Sequence, residues 1–249
     1  MDAAQPSERP DRGRSYFNTT HWSTVQSARD GESEPAAQAL AQLCSCYWYP
    51  LYSFVRRRGL NHHDAEDLTQ AFFHRLLDRN YLSAVDFRKG RFRTFLLMAL
   101  ERFMANEWRR AQAQKRGGQV AFVSLDEPAA EQRYLQEPAP GLSPENVYDQ
   151  NCALALLERA LLRLRREFEA DGKVEKFDRL KGFLTTDGEQ TTYAVLAGQT
   201  QDTVAALKMA VSRLRARYGE LLREEVANTL SSTQEVEDEL NALLTALSY

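Results

Sequence analysis

The stretch DGEQTTYAVLAGQTQDTVAALKMAVSRLRARY, residues 187–218, carries the strongest structural signal in this chain. Within it, Gly198 follows Ala194 by four residues, and Val204 follows six residues later. A helix-turn-helix requires this pattern: a small residue where two helices touch, a glycine where the turn takes a positive φ, and an apolar residue where the second helix packs back. The stretch therefore predicts two helices joined by a tight turn.

The second of these helices is predicted to have one apolar side and one basic side. Thr200 is placed to cap its start. Its apolar residues recur at helical spacing, and they are Val204, Leu207, Val211, Leu214, Tyr218 and Leu221. The opposite surface carries Gln201, Ala205, Lys208, Ser212, Arg213 and Arg215. Because no acidic residue occurs between Thr203 and Arg217, this surface favours contact with duplex DNA. An ordinary amphipathic helix after a turn is the alternative interpretation.

Helical patterns also dominate the rest of the chain. Periodicity predicts helices at 35–59, 64–80, 91–114, 144–170, 173–184, 188–197, 201–227 and 234–247. Pro50 is expected to kink or split the first of them, and Gly59 is expected to end it. The predicted fold class is all-α, with an N-terminal helical bundle and a C-terminal helix-turn-helix domain joined by a flexible linker.

Composition predicts five segments. Residues 1–15 are polar and are predicted to form a disordered leader. An N-terminal domain then covers residues 16–114. Residues 115–143 contain adjacent glycines, several prolines and little periodicity, which is typical of a linker. The helix-turn-helix domain covers residues 144–227, and an acidic C-terminal extension covers residues 228–249.

Charge is strongly segregated in this chain of 249 residues, although its formal net charge is only -3. Residues 88–116 contain nine Lys or Arg against two Glu, whereas residues 219–249 contain seven acidic residues against one Arg. A basic block inside a nearly neutral protein indicates a local phosphate-facing surface. A solvated helix face is the alternative interpretation of such a block.

The sequence argues against secretion and membrane insertion. Its start is polar and lacks the apolar core of a signal peptide, and no window approaches the roughly 18 apolar residues of a membrane span. We therefore expect a cytoplasmic protein. The cysteines are odd in number and lack zinc-ligand spacing, so we expect buried, inert thiols at Cys44, Cys46 and Cys152.

The second predicted helix begins with Asp64-Ala-Glu-Asp-Leu-Thr-Gln70. Asp67, Gln70 and His74 share one of its faces, because their spacing is three and then four residues. A face of acid and amide groups suits a basic partner helix better than DNA. The simpler alternative is that Asp64 and Asp67 only favour the start of the helix.

The third predicted helix has an apolar face and a basic face. The apolar face is expected to carry Phe92, Phe95, Leu96, Ala99 and Phe103. The other face carries Arg102, Asn106, Arg109 and Arg110. Arginine for phosphates, asparagine for a base edge and a nearby aromatic ring for stacking are what binding of single-stranded DNA requires. Trp108 fits either a core role or a stacking role.

Four runs of residues resemble the second conserved region of extracytoplasmic-function (ECF) sigma factors of the sigma-70 family. These runs are Tyr49-Pro-Leu-Tyr, Asp64-Ala-Glu-Asp-Leu-Thr-Gln70, Gly90-Arg-Phe-Arg-Thr-Phe95 and Asn106-Glu-Trp-Arg-Arg110. Residues 193–226 resemble the fourth region of the same family. The likeness covers residues 20–116 and 143–227, and the two regions in this order are more specific than either alone.

The resemblance implies a sigma factor, which binds core RNA polymerase, directs promoter-specific transcription initiation and performs no chemistry itself. It implies promoter DNA and the polymerase β′ clamp helices and β flap as partners. An anti-sigma factor or another regulator is a further candidate partner. The linker is implied to thread towards the polymerase active-site channel.

The same resemblance assigns roles to three sets of residues. Polymerase binding falls on Glu66, Asp67, Gln70 and His74. Contact with the -10 promoter element falls on Arg102, Asn106, Arg109, Arg110, Lys115 and Arg116. Contact with the -35 element falls on Gln201, Ala205, Lys208, Ser212, Arg213 and Arg215.

The acidic extension lies outside the two-domain plan of the family. We expect it either to fold back on a basic surface or to receive a regulator. If the extension inhibits the protein, removal of residues 228–249 would raise promoter binding.

Two other functions are open at this point. One is a regulator that binds duplex DNA by itself and senses a ligand with its N-terminal bundle. The other is a metal-dependent phosphohydrolase built on residues that can ligate divalent ions, namely His62, His63, Asp64 and Asp67. The chain lacks an evident nucleophile with its base, a phosphate-binding glycine loop and a complete set of metal ligands. We therefore expect no metal and no cofactor.

Overall fold

A computed structural model of the chain describes Trp22 and residues 34–77, 91–113, 128–137, 141–184, 190–200 and 202–248. Across these ranges the fold is all-α, as predicted, and the extended pairing is limited to an isolated bridge between Arg91 and Leu230. The α-helices are α1 (Glu34–Arg57), α2 (His62–Leu77), α3 (Phe92–Ala113), α4 (Pro128–Leu135), α5 (Pro144–Ala170), α6 (Val174–Leu180), α7 (Gln190–Gln199), α8 (Val204–Ala227) and α9 (Val236–Ala246). Short 3-10 turns lie at Lys181–Phe183 and Thr233–Glu235. No helix within these ranges combines the length and apolar character needed to cross a membrane.

The first helix runs without interruption through Pro50. Of the two expectations for this residue, a split was wrong, and a kink stays a prediction. Proline in a helix interior costs about 3 kcal/mol. The core-facing side of α1 offsets that cost, because Leu51, Phe54 and Val55 are completely buried there, and each such side chain contributes roughly 1.5–3 kcal/mol. Gly59 follows the end of the helix with a φ of 95°.

The first three helices form a bundle around an aromatic core. The ring centroids of Phe72 and Phe103 lie 5.8 Å apart, and those of Tyr47 and Phe92 lie 5.2 Å apart. Trp22 closes this core, with its ring 4.9 Å from the ring of Phe92. Because α2 and α3 turn their apolar sides inward, their opposite sides are available to partners.

The helix-turn-helix is formed by α7 and α8. Leu207, Val211 and Leu214 are buried, as the apolar stripe of α8 predicted. The ring of Tyr193 in α7 stacks on Phe183, with centroids 4.6 Å apart. This packing anchors α7 and leaves the opposite side of α8 exposed.

The turn between α7 and α8 differs from the prediction. Thr203, rather than Thr200, caps α8, since its hydroxyl accepts a hydrogen bond from the Ala206 amide at 3.1 Å. The Thr200 hydroxyl instead donates to the Leu196 carbonyl at 3.0 Å. Gly198 lies inside α7 without the positive φ that was expected. Threonine hydroxyls therefore shape this turn, so it does not depend on glycine.

The predicted linker contains α4, a helix that the sequence analysis did not identify. Glu131 in this helix accepts hydrogen bonds from Arg56 at 2.7 Å and from Tyr52 at 2.6 Å, and both donors belong to α1. Because α4 has eight residues and docks through polar groups, it shows no apolar stripe that periodicity could reveal. Residues 115–127 lie outside the described ranges, and the flexibility of the linker stays a prediction.

The docking of α4 should depend on pH. Burial alone would raise the pKa of Glu131, but hydrogen bonds from Tyr52 and Arg56 and the charge of Arg56 outweigh burial and lower it. A lowered carboxyl pKa stabilises the fold above the unfolded value of about 4.3, and this contribution is lost as pH falls through the folded value. We therefore expect α4 to loosen from α1 as pH falls below about 4.3 and through the lower pKa that Glu131 has in the folded protein.

NMR chemical shifts of the α4 amides, followed against pH, test this expectation. Glu131→Gln should remove the transition. Glu158→Gln is the matched control, because Glu158 is largely exposed and lies 3.4 Å from Arg133, and this variant should retain the transition. An unchanged titration in Glu131→Gln would contradict the assignment.

The fifth helix connects two halves of the protein. We call helices α1 to α4 the N-terminal half and helices α6 to α9 the C-terminal half. Helix α5 packs against α1 and also against α8 and α9. Arg159 in α5 donates to the Gln42 carbonyl at 2.9 Å and to the Glu225 carboxylate at 2.8 Å. Buried apolar residues of both halves form one continuous cluster. The boundaries that were predicted for the two domains, 16–114 and 144–227, stay predictions.

The three cysteines are free. Cys44 and Cys152 are buried, and burial raises the pKa of Cys44 to about 12. Cys46 is half-buried, with its Sγ 2.6 Å from Nη1 of Arg159, and burial raises its pKa as well. These thiols therefore stay protonated and unreactive at neutral pH.

Candidate nucleic-acid interface

The exposed side of α2 carries three of the four residues assigned to polymerase binding. Asp67 and His74 are exposed and Gln70 is half-buried, and their spacing places them on one side of the helix. We call these three residues the docking face. Glu66 requires a correction, because only 6% of it is exposed. One residue along a helix is a rotation of about 100°, which points Glu66 away from Asp67 and towards His62, whose Nε2 is 3.8 Å from its carboxylate.

A group of potential metal donors lies behind the docking face. His62, His63 and Glu66 place three donor atoms within 4.8 Å of one another. His62 also contacts the neighbouring helices, since its Nδ1 lies 2.8 Å from the Tyr52 hydroxyl and 3.7 Å from the Glu131 carboxylate. We therefore assign the group a structural role in joining α2 to α1 and α4.

The outward side of α3 forms a basic surface. Its predicted residues Arg102, Asn106, Arg109 and Arg110 are all exposed. A shallow depression of about 400 Å³ on this surface is lined by Met98, Glu101, Arg102, Ala105, Asn106 and Arg109. Lys115 and Arg116, which were assigned to the same set, lie outside the described residues.

Trp108 adds an exposed aromatic ring to this surface. It is 52% exposed, so it is not part of the core. Its indole can stack on an unpaired base, the Asn106 amide can bond a base edge, and guanidinium groups can bind phosphates. The outward side of α3 therefore holds the groups needed to bind single-stranded DNA.

The basic block at 88–116 divides between two roles. Arg91 and Arg93 lie at the start of α3 and form ion pairs with Glu239 of α9, at 2.8 and 2.6 Å. Arg102 and Arg109, about 2.5 and 4.5 turns beyond Arg93 along the helix, are exposed. The charge composition predicted a local phosphate-facing surface, but Arg91 and Arg93 in the first part of the block form ion pairs within the fold.

The outward side of α8 carries four of the six residues assigned to the -35 element. These exposed residues are Ala205, Lys208, Ser212 and Arg213. Arg215 is half-buried and its Nε donates to the Phe183 carbonyl at 2.9 Å, and its assignment to the -35 element stays a prediction. Gln201 lies outside the described residues.

Sequence reasoning missed Met209 on the same side of α8. This side chain is 57% exposed and lies three residues from Ser212 and four from Ala205 and Arg213, on the same side of the helix. Methionine is normally a core residue, so the exposure of Met209 was not predicted. The signal that could have revealed it is its absence from the apolar stripe through Leu207 and Val211.

Further along α8, basic side chains are engaged in ion pairs within the protein. Arg217 forms ion pairs with Glu167 at 2.6 Å and with Glu220 at 2.8 Å. Hydrogen bonds from its guanidinium to these carboxylates raise the pKa of Arg217. The predicted outward surface of α8 therefore lies in the N-terminal half of the helix.

Comparison with models of protein families identifies a match. A family model described as ECF sigma factor matches residues 19–192. The match covers α1 to α6 and ends three residues into α7, so α8 lies beyond it. No curated protein and no solved structure matches the chain.

Proposed function

The chain belongs to the ECF sigma factor family, and from this premise we propose that separate helices of one molecule bind polymerase and the two promoter elements. Members of the family are sigma factors that direct transcription initiation, so membership implies core RNA polymerase and promoter DNA as partners. The observation that carries the finer proposal is the exposure of three polar surfaces on three different helices, α2, α3 and α8. Since the proposed partners lie in the cytoplasm, we place the action of the protein there.

The docking face on α2 is proposed to bind the polymerase clamp helices. Asp67 offers a negative charge, which does not suit a phosphate backbone, and Gln70 adds an amide that can bond a protein partner. Carboxylates attract a basic protein surface and repel DNA. This chemistry supports a protein partner for α2.

The outward side of α3 is proposed to bind the opened -10 element. Support comes from the exposed Trp108 and Asn106 beside exposed arginines. Stacking on an aromatic ring contributes about 1–3 kcal/mol per base and is possible only for a base that has left the duplex. The combination favours melted over paired DNA.

The N-terminal half of α8 is proposed to enter the major groove at the -35 element. Lys208 and Arg213 can contact phosphates, and Ser212 can bond a base edge. Met209 adds an apolar group of the kind that contacts a thymine methyl. The two halves would thus bind chemically different forms of one promoter.

Removal of one phosphate contact from α8 gives a measurable result. Arg213→Ala should weaken binding to duplex -35 DNA about fivefold at 0.15 M salt and lower the salt slope by about 0.9. Lys176→Ala is the matched control, because Lys176 is exposed on α6 and outside this surface. Binding of the polymerase complex to a promoter selected from a randomised pool provides the assay. Equal losses in both variants would contradict the -35 assignment.

The function as a whole is tested by run-off transcription with purified core enzyme and a promoter pool. We expect the chain to bind core polymerase and to produce specific transcripts that the core enzyme alone does not produce. Failure to bind core polymerase at low salt would overturn the proposal. Tight binding of DNA by the chain alone would indicate a self-sufficient regulator instead.

A further inference from the structure

The C-terminal extension packs against the N-terminal half of the protein. Backbone amides of Trp22 and Phe92 donate hydrogen bonds to the carbonyls of Asn228 and Thr229, at 3.1 and 2.9 Å. Leu230 forms the isolated bridge with Arg91 and is completely buried. The chain thus returns to the start of α3 immediately after α8.

One of these bonds satisfies an end of α3. Phe92 is the first residue of this helix, and the first four amides of a helix have no acceptor within it. The Thr229 carbonyl supplies that acceptor for Phe92. The extension therefore caps the helix that we propose to bind the -10 element.

A buried carboxylate adds a second connection. Glu239 of α9 is 1% exposed, and it accepts hydrogen bonds from Arg93, with a shortest distance of 2.6 Å. Arg91 pairs with the same carboxylate at 2.8 Å, and Asp149 of α5 pairs with Arg93. Burial alone would lower the pKa of Arg93, but its bonds to these carboxylates raise it. A buried charge is tolerated only with such partners, so Glu239 holds α9 in one position.

The distance between promoter elements conflicts with this closed arrangement. Elements at -10 and -35 are about 25 base pairs apart, which is about 85 Å of duplex at about 34 Å per turn. A compact chain of this length has a radius of gyration of about 18 Å and is therefore about 45 Å across. One closed body cannot contact both elements of a straight promoter, so α8 has to move away from α3.

We propose that residues 228–246 form an intramolecular clasp that holds the two halves of the free protein together and has to release before both promoter elements are bound. This inference rests on the proposed function for its consequence, but the clasp itself is a contact within the chain. Because core polymerase on a promoter would hold the two halves apart, it would bind the open form, and the clasp lowers the population of that form and with it the apparent affinity for core polymerase. Point variants test it better than truncation, because deletion of residues 228–249 also removes Leu230 from the core.

Hydrogen exchange at the Phe92 amide reports directly on the clasp. Glu239→Gln in the full chain should speed exchange at this amide at least tenfold under conditions in which the protein stays folded. The matched control is Glu237→Gln, two residues away on α9, since Glu237 pairs with Arg223 of α8 at 2.8 Å and both groups are more than half exposed. This control should leave Phe92 exchange unchanged.

Affinity for core polymerase provides the second measurement. Glu239→Gln should increase this affinity severalfold, up to about tenfold. The reason is that a larger fraction of the free protein is then in the open form. The same increase should be absent in Glu237→Gln. Arg91→Gln removes one partner of Glu239 and leaves Arg93 in place, so it should give the same two changes on a smaller scale if Glu239→Gln fails to fold.

These measurements test the existence of the clasp separately from the proposed function. Unchanged Phe92 exchange in Glu239→Gln and Arg91→Gln would overturn the clasp. Faster exchange with unchanged or weaker polymerase affinity would overturn its inhibitory role. If the wild-type chain does not bind polymerase, the proposed function fails, and Phe92 exchange still decides whether the clasp exists.

Discussion

Replacement of Asp67 and Gln70 together by alanine is expected to reduce affinity for core RNA polymerase by about 100-fold or more. Truncation of a central interface residue commonly costs 2 kcal/mol or more, and about 2.7 kcal/mol corresponds to 100-fold. Both residues lie on the docking face of α2, away from the buried side that carries Phe72 and Leu76. The stability of the fold should therefore change by only about 0.5 kcal/mol or less.

Affinity is measured by titration of labelled protein with core enzyme, and folding by thermal unfolding of the same samples. Glu175→Ala is the control for loss of a surface acid, because its side chain is 93% exposed on α6. It should bind polymerase as the wild type does. Normal transcription by the Asp67→Ala/Gln70→Ala variant would show that polymerase binds another surface of the protein.

Arg93→Ala is expected to destabilise the free protein by about 3–5 kcal/mol. Arg93 pairs with the buried Glu239 and with Asp149, and its own side chain is 11% exposed. Its removal leaves Glu239 inside the protein with Arg91 as its remaining partner among these ion pairs. The cost is large because an incompletely paired charge in the interior loses hydration without full compensation.

Thermal unfolding should detect this loss as a fall in Tm of roughly 10 °C, since about 1 kcal/mol corresponds to 2–4 °C at this chain length. Arg223→Ala provides the comparison, because its ion pair with Glu237 has similar geometry at 2.8 Å but is largely exposed. Exposed pairs contribute about 1 kcal/mol or less. Similar losses in the two variants would mean that burial of Glu239 does not control the strength of its interactions.

The helices and their apolar sides could be predicted from the sequence. The bounds of α5 were predicted to the residue, and the apolar stripe of α8 was correct at Leu207, Val211 and Leu214. Exposure of Asp67 and Arg213 was also predictable. All of these features depend on neighbours three or four residues apart, which the sequence displays directly.

The exposure of individual polar side chains could not be predicted from the spacing of residues along a helix. Glu66 and Asp67 are adjacent acids, yet only Asp67 reaches the surface. Arg213 and Arg215 are alternate arginines on one helix, yet Arg215 binds a carbonyl in the preceding 3-10 turn. A long polar side chain can either extend into solvent or bond to a partner inside the protein. Which of the two occurs depends on the groups that the fold places near it.

The sequence by itself determined an all-α chain, its helix-turn-helix and the sides of α2, α3 and α8 that avoid the core. Tertiary structure alone decided that α4 docks on α1 and that the acidic extension returns to the start of α3. The physical reason is distance along the chain. Helix formation is governed by bonds between residues four apart, whereas Arg93 and Glu239 are 146 residues apart and meet only after the helices have packed.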